Sequence, residues 1–318
     1  MQTETVRALI HNFALGDIVR VTPVETSGNL AYSIEASTGI YFLRLCPEHG
    51  PRWRSESEIQ AEVELLDHLA QHIFPVLPAL ADKDGKRVIT WENHNGYLRA
   101  FAEGEPKLQP TLGEVETFGK SLGTFHTLIE KYKTPHAREH VWDPEHTKRY
   151  FMEDKEILLR SNLTNAKEFI RIVEQRLEAL YFPENLSAGT IHEDLGKRHV
   201  LWRDDTITSV IDFDRAYYGK LVFDLGQAAR GWCFTDEWKT WSDERFRALV
   251  RGYEKARRLT ELEKEFVRDA IAFAILERAI SFALRYVLDT HDPADETFAW
   301  SSVTEHLASI DASDLNFT

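Results

Sequence analysis

The chain has 318 residues, 43% of them hydrophobic, 28% charged and 11% aromatic, enough apolar surface for a folded core and too much for disorder as the main state. With 38 Lys and Arg against 52 Asp and Glu the formal charge is −14, and an acidic surface repels a phosphate backbone, which excludes general nucleic-acid binding. Two cysteines, Cys46 and Cys233, are too few for a disulfide framework or a thiolate zinc site, so buried inert thiols in the reducing cytoplasm are expected.

The opening segment through Phe13 carries Glu4, Arg7, His11 and Asn12 and lacks the unbroken apolar stretch of a signal peptide. Segments 17–21, 31–35 and 40–45 read as strands of a small antiparallel sheet, punctuated by turns at Ser27-Gly28-Asn29 and Ser37-Thr38-Gly39. Ile59, Val63, Leu66 and Leu69 then recur at helical spacing over 57–70, with the acidic Glu56, Glu58 and Glu62 read as a solvated face. Strand signals return at 87–91 and 96–101 around the turn-rich 92–95. Beyond Pro110 the texture is helical, over 112–128, 144–159, 165–180, 243–256 and 262–287, with β-like interruptions at 188–192, 200–202 and 207–213.

The apolar stretch 270–288 is interrupted by Glu277, Arg278 and Arg285, so no membrane span is expected. The fold class expected is α+β in two lobes: residues 1–103, a small antiparallel sheet with one main helix, and residues 104–318, mostly α-helical and carrying the reactive loops.

The chemistry concentrates in His192-Glu193-Asp194-Leu195-Gly196-Lys197-Arg198-His199 and in Val210-Ile211-Asp212-Phe213-Asp214. Phosphoryl transfer needs one carboxylate to orient or deprotonate the acceptor hydroxyl and another to hold Mg²⁺ against the ATP phosphates. Asp194 suits the first, catalytic role and Asp212 the second, with Asp214 either a further metal contact or a surface aspartate. His192 reads as a structural histidine, because Asp194 already fills the role of base. Trp232, Phe234, Trp238 and Trp241 read either as core or as an aromatic cage for an ammonium group.

This layout resembles the aminoglycoside phosphotransferase and choline kinase family of protein-kinase-like small-molecule kinases, in which His-Gly-Asp-Leu-His-x-x-Asn precedes Ile-Asp-Phe-Asp-x-Ala and a later Asp-Leu. The matching residues here are His192 to Leu195, Ile211 to Ala216, and Asp224-Leu225. A narrower likeness to homoserine kinase-like members lies in the run Asp224 to Phe234 and in Gly252-Tyr253. The resemblance implies a protein-kinase-like fold, ATP with Mg²⁺ or Mn²⁺, and a small-molecule hydroxyl acceptor such as an amino alcohol, homoserine or an aminoglycoside. It also implies cofactor-binding roles for Gly28 and Asn29 in the turn over the phosphates, and for Arg44 on the third strand paired with Glu62. Arg99 and Phe101 would stand at the hinge beside ATP, and Lys197 would meet the γ-phosphate.

Three positions depart from the family pattern. His199 stands where an asparagine would supply oxygen to a second metal, and imidazole is a poor ligand for a hard cation, so His199 as a metal ligand favours Mn²⁺ or a one-metal site. Arg44 replaces a lysine, and Glu193 replaces the glycine before Asp194. These departures support an alternative reading as a pseudokinase or nucleotide-binding scaffold. A lesser alternative is a metal-dependent hydrolase built from His192, Asp194, His199 and Asp212.

Overall fold

The computed structural model describes residues 3–26, 28–47, 54–136, 138, 141–235 and 238–317. Helix α1 (Thr3–Ile10) precedes strands β1 (Ile18–Val24), β2 (Leu30–Ala36) and β3 (Gly39–Pro47). Helix α2 (Glu56–Gln71) leads to the hairpin β4 (Val88–Trp91) and β5 (His94–Ala100), then to the short β6 (Glu105–Pro106). Helices α3 (Leu112–Ile129), α4 (Pro144–Leu159) and α5 (Ala166–Ala179) follow, then strands β7 (Ala188–Ile191), β8 (Val200–Arg203), β9 (Thr206–Val210) and β10 (Tyr217–Lys220). Helices α6 (Leu221–Cys233), α7 (Asp243–Glu254), α8 (Glu261–Arg285), α9 (Pro293–Ser301) and α10 (Leu307–Ala312) complete the chain.

Two compact units emerge. The first joins Met1–Pro106 to Tyr132–Glu139 and His199–Asp214; the second joins Lys107–Lys131, His140–Arg198 and Arg215–Thr318. In the first, an antiparallel sheet runs in the order β1-β2-β3-β5-β4. One face buries Ile34, Leu43, Leu45 and Leu98 against Val6 and Ile10 of α1. That helix is only two turns long, too short for a periodic signal, and was not anticipated from sequence. Helix α2 starts where expected because Ser55 and Glu58 form a reciprocal capping box, and Ile59, Val63, Leu66 and Leu69 are buried.

The reading placed residues 199–214 with the helical lobe, whereas they cluster with the first unit. Strand β8 pairs with β6 through Glu105 and Trp202, and the Val210 amide donates to the Pro75 carbonyl at 2.7 Å. These backbone bonds outweigh proximity in sequence. Gly104 makes the turn possible: its φ is +103°, and a Cβ there would lie 2.7 Å from the Trp202 carbonyl oxygen.

The second unit is helical. Helices α3 and α7 approach so closely that a Cβ on Gly252 would fall 1.9 Å from the Glu116 carbonyl oxygen. Every residue of α6 is buried, including the polar Asp224, Gln227 and Arg230. Capping boxes at Thr111 with Glu114 and at Thr260 with Glu263 fix the starts of α3 and α8. Helices α9 and α10 went unread, although Asp292 followed by Pro293 is a helix-start signal, with Asp292 accepting from the Ala294 amide. Both cysteines are free and buried. Among the described residues no helix is long and apolar enough to cross a membrane.

Candidate active site

In the first unit Arg44 lies in β3 opposite Ala31 of β2 and Tyr97 of β5, and α2 brings Glu62 beneath it. Arg44 Nη2 donates to both Glu62 carboxylate oxygens at 2.6 Å, and the Tyr97 hydroxyl donates to Glu62 Oε1 at 2.7 Å. Burial works against the Arg44 charge, but Glu62, and then Tyr97, more than offset it and hold the guanidinium pKa well above its ordinary value. Glu62, 4% exposed, is sealed by its arginine as the pairing with Arg44 implies, whereas Glu58, 2% exposed and sealed by the cap it completes, corrects its reading as part of a solvated face.

The same arginine reaches Asp212, Nη1 to Oδ1 at 3.3 Å, and His199 Nε2 lies 3.4 Å from Asp212 Oδ2. Asp212 has a left-handed backbone, φ +69°, a conformation that costs a non-glycine residue about 1–2 kcal/mol and recurs at functional sites. Arg54 donates to the Asp214 carbonyl at 2.9 Å, and its Nη2 lies 3.8 Å from the Asp214 carboxylate. The structure therefore brings Arg44, Glu62, Asp212 and His199 together, with Asp214 held by a second arginine.

Elsewhere in that unit Gly28, φ +109°, turns β1 into β2, and the Thr26 hydroxyl donates to the Asn29 carbonyl at 2.6 Å. Ser27, read as part of this turn, lies outside the described residues. Arg99 donates to the Ala100 carbonyl and stacks 4.6 Å from the Phe42 ring centre, and burial lowers its pKa. The exposed Phe101 ring meets Phe42 edge-on at 6.2 Å.

In the second unit the loop after β7 is suspended from Asp224 at the start of α6. Its carboxylate accepts from the His192 amide at 2.9 Å and the Glu193 amide at 2.7 Å, with His126 Nε2 a further partner at 3.2 Å. His192 is fully buried and its Nδ1 accepts from the Asp194 amide at 3.2 Å, a structural role as expected. The Trp232 indole donates to the Leu195 carbonyl at 2.9 Å while its ring stacks on Phe118 at 3.9 Å. Trp232 is therefore core, not cage. The Asp194 carboxylate ends in contact with Arg278 of α8. Lys197 donates to the Phe234 carbonyl at 3.3 Å beside Trp238.

Glu193 shows why a carboxylate can stand at the glycine position. Its φ is +70°, so the backbone conformation is the left-handed one glycine adopts freely. The side chain is 1% exposed, accepts from Gln227 Nε2 at 2.9 Å and contacts Arg215, which also donates to Glu277 at 2.8 Å. Burial first, with Glu277 and Asp194 adding to it, pushes the Glu193 carboxyl well above the ordinary range even though Arg215 opposes the shift. A raised folded-state pKa means the folded chain holds this proton more tightly. Stability from that source is full below the unfolded value, about 4.3, and is lost as pH rises through the folded value. Glu193→Gln removes the charge but keeps an acceptor. It is expected to gain stability relative to the parent at pH 8, the difference shrinking toward pH 5, as read by urea unfolding at both values. An equal difference at both would disprove the coupling.

Sequence reasoning missed Arg215, Gln227, Glu277 and Arg278. Glu277 and Arg278 were visible only as charges interrupting an apolar helix, and such interruptions in a buried helix are themselves a signal of paired charge.

Residues 20–259 match the Phosphotransferase enzyme family, well over half of the chain. The chain belongs to that family. This family member is a small-molecule kinase with a hydroxyl acceptor. It is 36% identical over 287 residues to a homoserine kinase of Granulibacter bethesdensis, covering 90% of this chain and 86% of that one. It is 29% identical over 238 residues to a homoserine kinase of Zymomonas mobilis, covering 73% and 68%. In fold this phosphotransferase is similar to an amicoumacin kinase solved with AMP-PNP, Ca²⁺ and amicoumacin, with a TM-score of 0.76, 16% identity, and 99% and 96% of the two chains covered. A microcompartment-associated aminopropanol kinase gives 0.71 at 20% identity, covering 98% and 97%. The protein-kinase-like fold expected from the sequence is thereby established. Family membership does not favour the scaffold or hydrolase readings, and among the described residues no group of three or more His, Cys, Asp and Glu is placed to hold a metal ion.

Proposed function

We propose that this phosphotransferase moves the γ-phosphate of ATP to the hydroxyl of a homoserine-like metabolite. The observation that carries the reading is the 36% identity to a homoserine kinase across nine-tenths of the chain, supported by an Asp194 loop suspended from Asp224. Asp194 orients the acceptor hydroxyl and takes its proton. Arg44, positioned by Glu62, binds phosphate oxygens, with Gly28 and Asn29 closing over them and Arg99 and Phe101 beside the nucleotide.

Asp212 and Asp214 offer the oxygen donors a hard divalent cation prefers, so they fit Mg²⁺, with Mn²⁺ a substitute where His199 takes part. A bound ion of this kind neutralises charge on the phosphates during transfer. Two protein carboxylates leave most of its coordination to phosphate oxygens and water, which accords with the absence of a self-sufficient metal cluster among the described residues.

The test is ADP release from ATP, with Mg²⁺ and with Mn²⁺, over homoserine, choline, ethanolamine and an aminoglycoside. Homoserine-dependent ADP is the expected result. ATP binding without turnover of any acceptor would return the scaffold reading.

A further inference from the structure

We infer that Arg230, with Lys197 beside it, forms an anion subsite that receives a carboxylate carried by the acceptor. The inference rests on the kinase reading above and names the chemistry of its acceptor.

Three other arginines with little exposure are matched by carboxylates. Arg44 has Glu62, Arg215 has Glu193 and Glu277, and Arg257 has Glu130 and Glu263. Arg230 is 7% exposed and has no such partner among the described residues. Its Nε donates to Gln227 Oε1 at 3.1 Å and its guanidinium carbon lies 5.0 Å from the centre of the Trp238 ring. Those contacts fix the orientation of the fork and engage Nε alone, leaving the two terminal nitrogens for a ligand. Burying an unpaired cation costs several kcal/mol, a cost that an incoming carboxylate would offset with two parallel hydrogen bonds.

Lys197 reinforces the pattern. Its ammonium lies 5.9 Å from the same Trp238 ring and donates to a backbone carbonyl, again with no carboxylate partner among the described residues. Burial, then the neighbouring Arg245, lowers its pKa, the mark of cations crowded together. Gln227, which accepts from Arg230, donates to Glu193, so one side chain links the subsite to the residue before Asp194. Among the described residues Arg230 and Lys197 both flank Trp238, and Glu193, which lies beside Asp194, is biased toward neutrality. The chain's own cations at Trp238 also dispose of the aromatic cage for an ammonium group.

Three acceptors that share one hydroxyl arm separate the contributions: homoserine, γ-hydroxybutyrate, which lacks the amine, and propanolamine, which lacks the carboxylate. The wild type is expected to prefer the two carboxylates in kcat/KM. Arg230→Met is expected to lower kcat/KM for them by about a hundredfold, the worth of one charged hydrogen-bonded pair, and at least tenfold less for propanolamine. Arg230→Lys is expected to restore part of the loss. Lys197→Met, a second variant with the same selective pattern, guards against misfolding of the first. An equal loss on all three acceptors, or a wild type that prefers propanolamine, would overturn the subsite. Calorimetric titration with γ-hydroxybutyrate isolates it from the activity. If no acceptor is phosphorylated yet wild-type binding heat disappears in Arg230→Met, the subsite stands and the kinase reading falls; no heat with the wild type sinks the subsite itself.

Discussion

Asparagine at position 194 is expected to lower kcat for phosphoryl transfer by about 10²–10⁴-fold while ATP still binds, the usual range for losing a positioned acid–base group. The substitution is nearly isosteric, and the loop has other supports: Asp224 holds the His192 and Glu193 amides, and Trp232 holds the Leu195 carbonyl. Arg278 loses its charged partner but retains Glu277, whose Oε2 lies 3.3 Å from its Nε. The variant is therefore expected to melt close to the parent, so that the lost turnover reports chemistry. Single-turnover ADP formation at saturating ATP gives the direct measure. Retention of more than a tenth of the parent rate would remove Asp194 from the proton-accepting role.

The second large effect concerns stability. Glu62→Ala strips a buried guanidinium of its bidentate partner and the Tyr97 hydroxyl of its acceptor. Breaking such a pair from one side costs about 3–5 kcal/mol, because the remaining charge stays buried. The weaker contact from Arg44 to Asp212, with its carboxylate 41% exposed, recovers only a fraction. The melting temperature is expected to fall by about 10 °C. Replacing both partners, Arg44→Met with Glu62→Leu, is expected to recover most of the stability and none of the ATP affinity. Urea unfolding with a nucleotide titration on the single and double variants decides it. A double variant as unstable as Glu62→Ala would show that packing around the pair, not its charge, carries the cost.

Much of this site was legible because its chemistry is local. His192 to Leu195, Ile211 to Asp214 and Asp224-Leu225 each occupy a few consecutive residues, and together they carry the resemblance to a family of phosphoryl-transfer enzymes. The family resemblance implied the pairing of Glu62 with Arg44, and the structure has that contact. What stayed hidden depends on distance in the chain. Arg278 meets Asp194 from 84 residues away, and the hairpin β8–β9 joins the sheet-bearing unit through β6, a pairing no local pattern encodes. Lys197, expected from its place in the reactive loop to meet phosphate, also has contacts no local pattern encodes, the Phe234 carbonyl just after α6 and the Trp238 ring.

The left-handed residue before Asp194 has a consequence for sequence change. Glycine at 193 would relieve the backbone at once, yet it would deprive Arg215 and Gln227 of their shared partner deep in the core. Removing Arg215 first would leave Glu193 without its cation and Glu277 with Arg278 alone. Positions 193 and 215 are therefore coupled: glycine at 193 is expected to cost less once Arg215 is also replaced, whereas glutamine, which keeps the acceptor for Gln227, is expected to stand alone.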